Sequence, residues 1–301
     1  MVIRILQSVH IIPITIPNST KAPKKYGQRY VGSDSGALSG GVMGGRKGNP
    51  TLQNCNANLV ARKAGGVVSS AMPPAPLQPG TLYLVATPIG NLEDITLRAL
   101  RTLRECTIVA AEDTRRARQL MRAHDIDRPT LSCHKFNEAK RSGELLERLE
   151  RGETIAMVSD AGTPGISDPG ERIVRAVLAA GYRVEPVPGP CALAAALPAS
   201  GLATAEFHFV GFLPHKSGAR LRQLEALAEV PGTLCFYESP HRVVKFLGEL
   251  DGLWPEAQVV LARELTKKFE EFLRGTPAEL LAHYAERKPK GEFVALVQRA
   301  R

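Results

Sequence analysis

From Thr81 onward the chain repeats one unit: a short, β-branched apolar run, a polar or glycine-rich turn, and an amphipathic stretch at helical spacing. The runs are TLYLVAT (81–87), TIVAA (107–111), TIAMVS (154–159), RVEPV (183–187), FHFVGF (207–212), TLCFYE (233–238), QVVLAR (258–263) and EFVALVQ (292–298), with a weaker turn of pattern at PTLSCH (129–134). Each is too short for a typical helix and reads as a strand. SGELLERLERG (142–152) and GERIVRAVLAAG (170–181) space their apolar residues as helices do and end at glycine. Strand and helix in alternation mean an α/β fold. Counting the weaker pattern at 129–134, the first five runs form one set and the last four another. VPGPCALAAALPASG (187–201) reads as a linker running into a helix, so the expected division falls near Pro188: an N-terminal α/β domain over 81–188 and a C-terminal one over 189–301.

The first eighty residues have a different character. They hold nine basic side chains against one acid, Asp34, in Gly/Ser-rich and Pro-rich sequence without apolar periodicity. We expect a disordered basic extension over 1–80, with the working protein beginning near Met72. The other 221 residues hold 30 basic and 29 acidic side chains, so the formal charge of +9 says little about the body and carries no nucleic-acid signal by itself. Hydrophobic residues at 44% suffice for a core, and aromatics at 5% make that core aliphatic. No stretch approaches the ~18 uninterrupted apolar residues of a membrane helix. Five cysteines, Cys55, Cys106, Cys133, Cys191 and Cys235, include no Cys-x-x-Cys pair, and seven histidines include no His-x-x-x-His pair. This speaks against a disulfide scaffold or a metal centre and for reduced thiols in the cytoplasm.

In an open α/β sheet a ligand lies at the carboxyl ends of the strands. Here almost every run is followed by polar or glycine-rich sequence, which points to one shared cleft. SDAGTPGISDPG (159–170) packs four turn-formers between strand and helix, letting the backbone approach a ligand. No Lys follows its glycines, so it is not a phosphate loop, and it is not Gly-x-Gly-x-x-Gly. TPIGN (87–91) and EDTRR (112–116) follow the first two runs; Asp113 or Thr114 could equally cap the next helix. YESPHR (237–242) and RELTKKFEE (263–271) are dense in charge, with Glu264 and Lys268 at a helical pairing distance.

Together TPIGNLEDITLRAL, AAEDTR, HKFNE, SDAGTPGISDPG, PGPCA, GFLPHKSGAR, FYESPHR, ARELTKKFEE and KGEFVALV resemble, in that order, the ribosomal RNA small subunit methyltransferase I family, over Thr81 to about Val297. The resemblance implies a two-domain tetrapyrrole-methylase-like fold, each domain a mainly β sheet flanked by helices, with S-adenosylmethionine in the cleft between them, and a homodimer. It implies 2′-O-methylation of one cytidine of 16S rRNA at the decoding centre of the small ribosomal subunit, with no metal and no membrane. By motif position it assigns the cofactor to Pro88, Ile89, Gly90 and Asn91, to Asp160, Ala161, Gly162, Thr163, Pro164, Gly165, Ile166 and Ser167, and to Pro188, Gly189, Pro190, Cys191 and Ala192. The ribose hydroxyl needs a proton acceptor; the candidates are Glu112, Asp113, His134, Glu238, His241 and Glu264, with Glu112 and Asp113 first. RNA contacts fall to Arg115, Arg116, Lys216, Arg220, Arg242, Arg263, Lys267 and Lys268. Many relatives continue past KGEFVALV with a helical segment, whereas this chain stops at Arg301, which bears on substrate affinity more than on chemistry.

Three other readings compete. A methyltransferase of the same fold could act on a tetrapyrrole or other small molecule; the near-neutral body favours it, and the YESPHR and RELTKKFEE matches oppose it. A module that docks on the ribosomal subunit without catalysis would not need the glycine-rich cofactor loops. A nucleotide hydrolase would need a phosphate-loop Lys and metal ligands.

Overall fold

A computed structural model describes residues 75–300. Most of the expected extension, with the Met72 start and Cys55, lies outside the described residues. Residues 75–80 lead into the first strand: Leu77 packs on the core beneath it, and the Gln78 amide donates to the Tyr83 hydroxyl at 2.7 Å.

Strands β1 (Thr81–Val85), β2 (Ile108–Ala111), β3 (Thr130–Ser132), β4 (Ile155–Val158) and β5 (Arg183–Val187) form the first sheet, in the order β3-β2-β4-β1-β5 and parallel throughout. Helices α1 (Leu97–Glu105), α2 (Thr114–Ala123), α3 (Glu138–Glu150) and α4 (Glu171–Ala179) are the crossovers. Alternate residues of each strand face opposite ways. Tyr83, Val85, Val109 and Val158 pack with Leu103 and Met121 of α1 and α2; Leu82, Ile108, Ile155 and Met157 pack with Leu145 and Ile173 of α3 and α4. Burial on both faces explains why the central strands read as unbroken apolar runs, IVAA and IAMV.

Helix α5 (Ala192–Ser200) comes next, as the linker reading expects. The second sheet contains β6 (Phe207–Phe212), β7 (Thr233–Glu238), β8 (Gln258–Arg263), β9 (Glu271–Gly275) and β10 (Phe293–Gln298), in the order β6-β7-β10-β8-β9. Here β6 and β7 are parallel, β10 is antiparallel to both β7 and β8, and β9 is antiparallel to β8. Helices α6 (Ser217–Ala226), α7 (Val243–Leu253) and α8 (Pro277–Ala285) cover one face, over Phe236, Leu261 and Val297. The other face, with Cys235, Val260 and Leu296, packs against α5 and against Ile89 from the loop after β1. The two sheets are thus joined by shared apolar contact, and residue 188 falls between their last and first strands.

Two expectations are corrected. Residues 271–275, which begin at the end of the charged RELTKKFEE stretch and for which the sequence pattern predicts no element, form β9; Phe272 packs against the α5-side core while Glu271 and Arg274 flank it, so polar neighbours hide a strand at the sheet edge. Glu264 pairs with Lys267 at 2.9 Å and not with Lys268, because Glu264 and Thr266 adopt positive φ (49° and 65°) and the segment is a turn, not a helix. Cys106, Cys133 and Cys235 are buried and free, and Cys191 is half-buried and free. Burial pushes the Cys106 and Cys235 thiols up to about 11 and Cys133 to about 12. Among the described residues no helix is long and apolar enough to cross a membrane.

Candidate active site

In the first sheet all five strands end on one edge. In the second sheet β7 and β8 end, and the antiparallel β10 begins, on one edge: Phe293 pairs with both Glu238 and Arg263. The two edges meet across a cavity of about 340 Å³, within the range of small-ligand sites. Ile89, Gly162, Thr163, Ile166, Ser167, Asp168 and Ala192 line it from the first half; Tyr237, Glu238, Ala262, Glu264, Leu265, Lys267, Glu292 and Val294 line it from the second.

Close backbone approach builds this cleft. Gly162, at φ +81°, exchanges two backbone hydrogen bonds with Thr87 (2.8 and 3.0 Å), tying the β4 loop to the β1 loop in a conformation that disfavours a side chain. Gly90 sits against the turn after β8: a Cβ there would meet Thr266 Oγ1 at 2.9 Å and Leu265 O at 3.0 Å, as well as the Lys267 side chain. Ser167, Glu264 and Thr266 are three of the four non-glycine residues with positive φ among those described, and all three stand at this cleft, where strain often accompanies function.

The charged lining is mainly acidic: Asp168, Glu238, Glu264 and Glu292 against Lys267. Glu238 is paired with Arg242 at 3.1 Å, and Lys267 is shared by Glu264 and Glu292, both at 2.9 Å. Burial pushes Glu238 up, against the opposing pull of Arg242. Burial would also raise Glu264, but the Lys267 ammonium and the Glu292 amide overcome it and hold that carboxyl below its ordinary value. At Asp168 the balance runs the other way: burial, reinforced by the nearby Asp160 carboxylate and opposed by a hydrogen bond from Ser159, pushes it up to about 6. Behind it Glu112 is raised by burial and by Asp160 and Asp168. An apolar slot of Ile89, Ala262, Leu265 and Val294, edged by carboxylates, fits a flat, uncharged base joined through a sugar to a positive centre, as in S-adenosylmethionine. It fits a polyphosphate poorly.

A second cavity of about 490 Å³ opens where Ser159 and Asp160 turn one way and Ala161 and Gly162 the other. Pro88, Leu92, Arg116, Leu120 and Asp160 are among its walls.

The structure divides the expected residues. Of the cofactor set, Ile89, Ala161, Gly162, Thr163, Ile166, Ser167, Cys191 and Ala192 line the first cavity; Pro88 and Asp160 line the second. Asn91 caps a one-turn 3-10 helix, Pro190 O accepts from the Thr163 hydroxyl at 3.0 Å, and Pro188 O accepts from Thr96. Gly165 N–H donates to Pro169 O inside the β4 loop, with Pro164 beside it, and Gly189 packs on Ala86. Asp113 is the N-cap of α2. Its carboxylate accepts from the Arg115 side chain and amide, which hold it well below the usual carboxylate range and leave it a poor proton acceptor. His134 Nδ1 accepts from the Phe136 amide beyond β3, apart from the lining.

Four of the expected RNA contacts have partners within the fold. Arg220 is buried, held by Glu249 and the carbonyls of Pro214 and His215. Arg242 donates to Leu213 O at 2.7 Å and to Glu238; Arg263 donates to Lys290 O at 2.7 Å, to Phe269 O and to Glu271. Lys267 points into the acidic lining. Their guanidinium and ammonium groups satisfy the fold. Arg115, Arg116, Lys216 and Lys268 remain exposed. Asp168, Tyr237 and Glu292 are site residues that stood inside recognised motifs without an assigned role; only the packing of two sheets singles them out.

Residues 81–281 match the family of Tetrapyrrole (Corrin/Porphyrin) Methylases. The chain is 50% identical over 233 residues to the Ribosomal RNA small subunit methyltransferase I of Mesorhizobium japonicum, covering 77% of this chain and 79% of that one. It is 52% identical over 225 residues to the protein of the same name from Xylella fastidiosa, covering 74% and 82%. The structure is similar, at TM-score 0.52 and 24% identity over 72% of this chain and 96% of the other, to uroporphyrin-III C-methyl transferase from Thermus thermophilus, solved complexed with S-adenyl homocysteine.

Proposed function

The chain belongs to the ribosomal RNA small subunit methyltransferase I family, within the tetrapyrrole methylases, and from that membership we propose that it transfers a methyl group to the ribose 2′-oxygen of a cytidine in 16S rRNA of the small ribosomal subunit. The enzyme is S-adenosylmethionine-dependent. The observation that carries the site assignment is the first cavity: an apolar slot between the sheets whose charged lining is four carboxylates to one ammonium. Bound there, the cofactor supplies an electrophilic methyl group on a sulfonium.

The protein's own residues do the rest. Ile89, Ala262, Leu265 and Val294 exclude water, and the tied loops at Thr87 and Gly162 fix the cofactor's position for in-line attack. Asp168 accepts the hydroxyl proton, with Glu112 behind it; at neutral pH a carboxyl with a pKa of about 6 is ionised yet basic enough to take it. Exposed Arg115, Lys216 and Lys268 hold phosphates. We further propose that the protein works in the cytoplasm as a homodimer through α5 and the edge strands β5 and β6, where Ala194, Ala195, Pro198 and Phe207 are exposed apolar positions; light scattering reads the mass.

The test incubates the protein with methyl-labelled S-adenosylmethionine and small subunits lacking this modification, then locates the label by nuclease digestion and mass spectrometry. Label on a cytidine 2′-oxygen is expected. Label on a base, or transfer only to a tetrapyrrole or other small molecule, would overturn the assignment.

A further inference from the structure

We propose that the second cavity is the socket for the base of the target cytidine, with Asp160 and Arg116 reading its edge. This rests on the RNA substrate proposed above and extends it to how the base is chosen.

Asp160 is built for recognition. Its Oδ1 accepts from the Asp113 amide at 3.0 Å, which fixes the carboxylate on the cavity wall. Its Oδ2 lies 3.6 Å from Arg116 Nη1, beyond hydrogen-bond length, so that acceptor remains open. The Arg116 side chain is 65% exposed and carries donors only. A fixed acceptor beside a guanidinium complements cytosine. The N4 amine donates to the carboxylate, and the N3 and O2 acceptors receive from the guanidinium. Uracil places an oxygen, O4, where cytosine has the amine, and would set acceptor against acceptor. Of the remaining walls, Pro88, Leu92, Leu120 and Val158 are apolar and suit the faces of a planar ring, while Thr87, Gln119 and Ser159 add polar groups beside them. Leu92 is 50% exposed, an apolar contact available to an entering base.

Position supports the same reading. Asp160 precedes Ala161 and Gly162, which line the cofactor cavity. A base seated against Asp160 is thus held one residue away from the wall of the cofactor cavity, with its ribose reaching past that wall to the methyl group. A stacked base cannot enter such a socket, so the nucleotide is taken out of its stack.

The experiment uses the whole protein and small subunits reconstituted from 16S rRNA transcripts carrying cytidine or uridine at the methylated position. Asp160→Asn offers an amide that serves either base. It is expected to narrow the cytidine-over-uridine ratio of kcat/KM by about tenfold or more, the size of one base-edge pair, with S-adenosylmethionine affinity by calorimetry unchanged. Leu120→Trp fills the socket from α2 and is expected to cut transfer by about a hundredfold, again with cofactor affinity unchanged. An unchanged ratio, equal loss on both substrates, full activity of Leu120→Trp, or loss of cofactor affinity in either variant would each overturn the socket. Absence of ribose label from the unaltered protein would instead be the failure of the substrate assignment.

Discussion

The two sheets reach the same cleft by different rules. In the first, every strand is parallel, and β1, β4 and β5 deliver residues just past their carboxyl ends: Ile89, then Gly162 and Asp168, then Ala192, with Glu112 after β2 standing behind Asp168. In the second, β7 and β8 also deliver residues past their carboxyl ends, Ser239 and Glu264, but the antiparallel β10 delivers those at its amino end, Glu292, Phe293 and Val294. Searching after each strand is therefore complete for a parallel sheet and partial for a mixed one. Their cores differ as well. The central strands of the first sheet carry small residues, Ala110, Ala111 and Ala156, pressed by helices on both faces, whereas the second packs Phe236 against Phe246 with tilted rings whose centroids are 5.3 Å apart.

The largest expected effect tests that contrast in packing. Phe236 is fully buried, and Phe236→Ala is expected to cost about 3–5 kcal/mol in urea or guanidinium unfolding. If the two sheets are held together as firmly as the shared contact at Ile89 implies, the whole described body unfolds in one transition at lower denaturant. Two separated transitions would show that the sheets are independent units and that the joint is weak.

Next in size is the joint itself. Gly90→Val would drive a branched side chain into Thr266, Leu265 O and Lys267 across the cleft. Overpacking of this kind costs about 1–3 kcal/mol. Because the wedge pushes on Leu265 and Lys267, which line the cavity, the cost is expected chiefly as weaker S-adenosylmethionine binding in calorimetry, by about tenfold or more, with a smaller loss in melting temperature. Unaltered cofactor affinity would mean that the turn after β8 moves aside freely.

The same contrast decides how much of the molecule was legible in the sequence. The alternation of apolar runs and helical spacing shows the central strands of the first sheet most clearly, because burial on both faces leaves continuous apolar stretches such as IAMV, whereas the half-exposed edge strand β3 leaves only a weaker pattern. The edge strand β9 carries Glu271 and Arg274 and so reads as loop. The glycine-rich β4 loop declares itself as a ligand loop, but which of its residues turns inward depends on packing: Asp168 lines the cofactor cavity, while Asp160, eight residues earlier, lines the other. Charge was least legible. Arg220 and Arg242 look like phosphate ligands in sequence, yet their carboxylate and carbonyl partners, Glu249 and Leu213, come from distant positions.

The acid in the parallel half gives a pH test. Asp168 has a folded-state pKa of about 6, raised above its ordinary value of 3.8 by burial. Its protonated form is favoured in the fold, so its stabilising contribution is full below about pH 4 and lost as pH rises through about 6. Asp168→Asn is thus expected to melt higher than the unaltered protein at pH 8 and about equally at pH 4. Its turnover is expected to fall about a hundredfold or more, the scale of one proton-transfer group, and the rise of turnover with pH near 6 should vanish. A variant that keeps turnover and that pH step would transfer the role of proton acceptor to Glu112.

The smallest effect is expected at the start of β10, and it separates backbone from side chain. Glu292 shares Lys267 with Glu264, but its side chain is 82% exposed, and such a pair contributes only about 0.2–1 kcal/mol, less at high salt. Its amide does more for the site, donating to Glu264 Oε1 at 3.1 Å and helping to hold that carboxylate in its positive-φ turn. Glu292→Gln removes the charge and keeps the amide. It is therefore expected to change S-adenosylmethionine affinity less than about threefold, with the difference fading as salt rises. Glu264→Gln weakens the acceptor for both Lys267 and that amide, and should cost more. If Glu292→Gln proves the more damaging of the two, the antiparallel strand serves the site through its side chain rather than through the register that sets its first amide against the β8 turn.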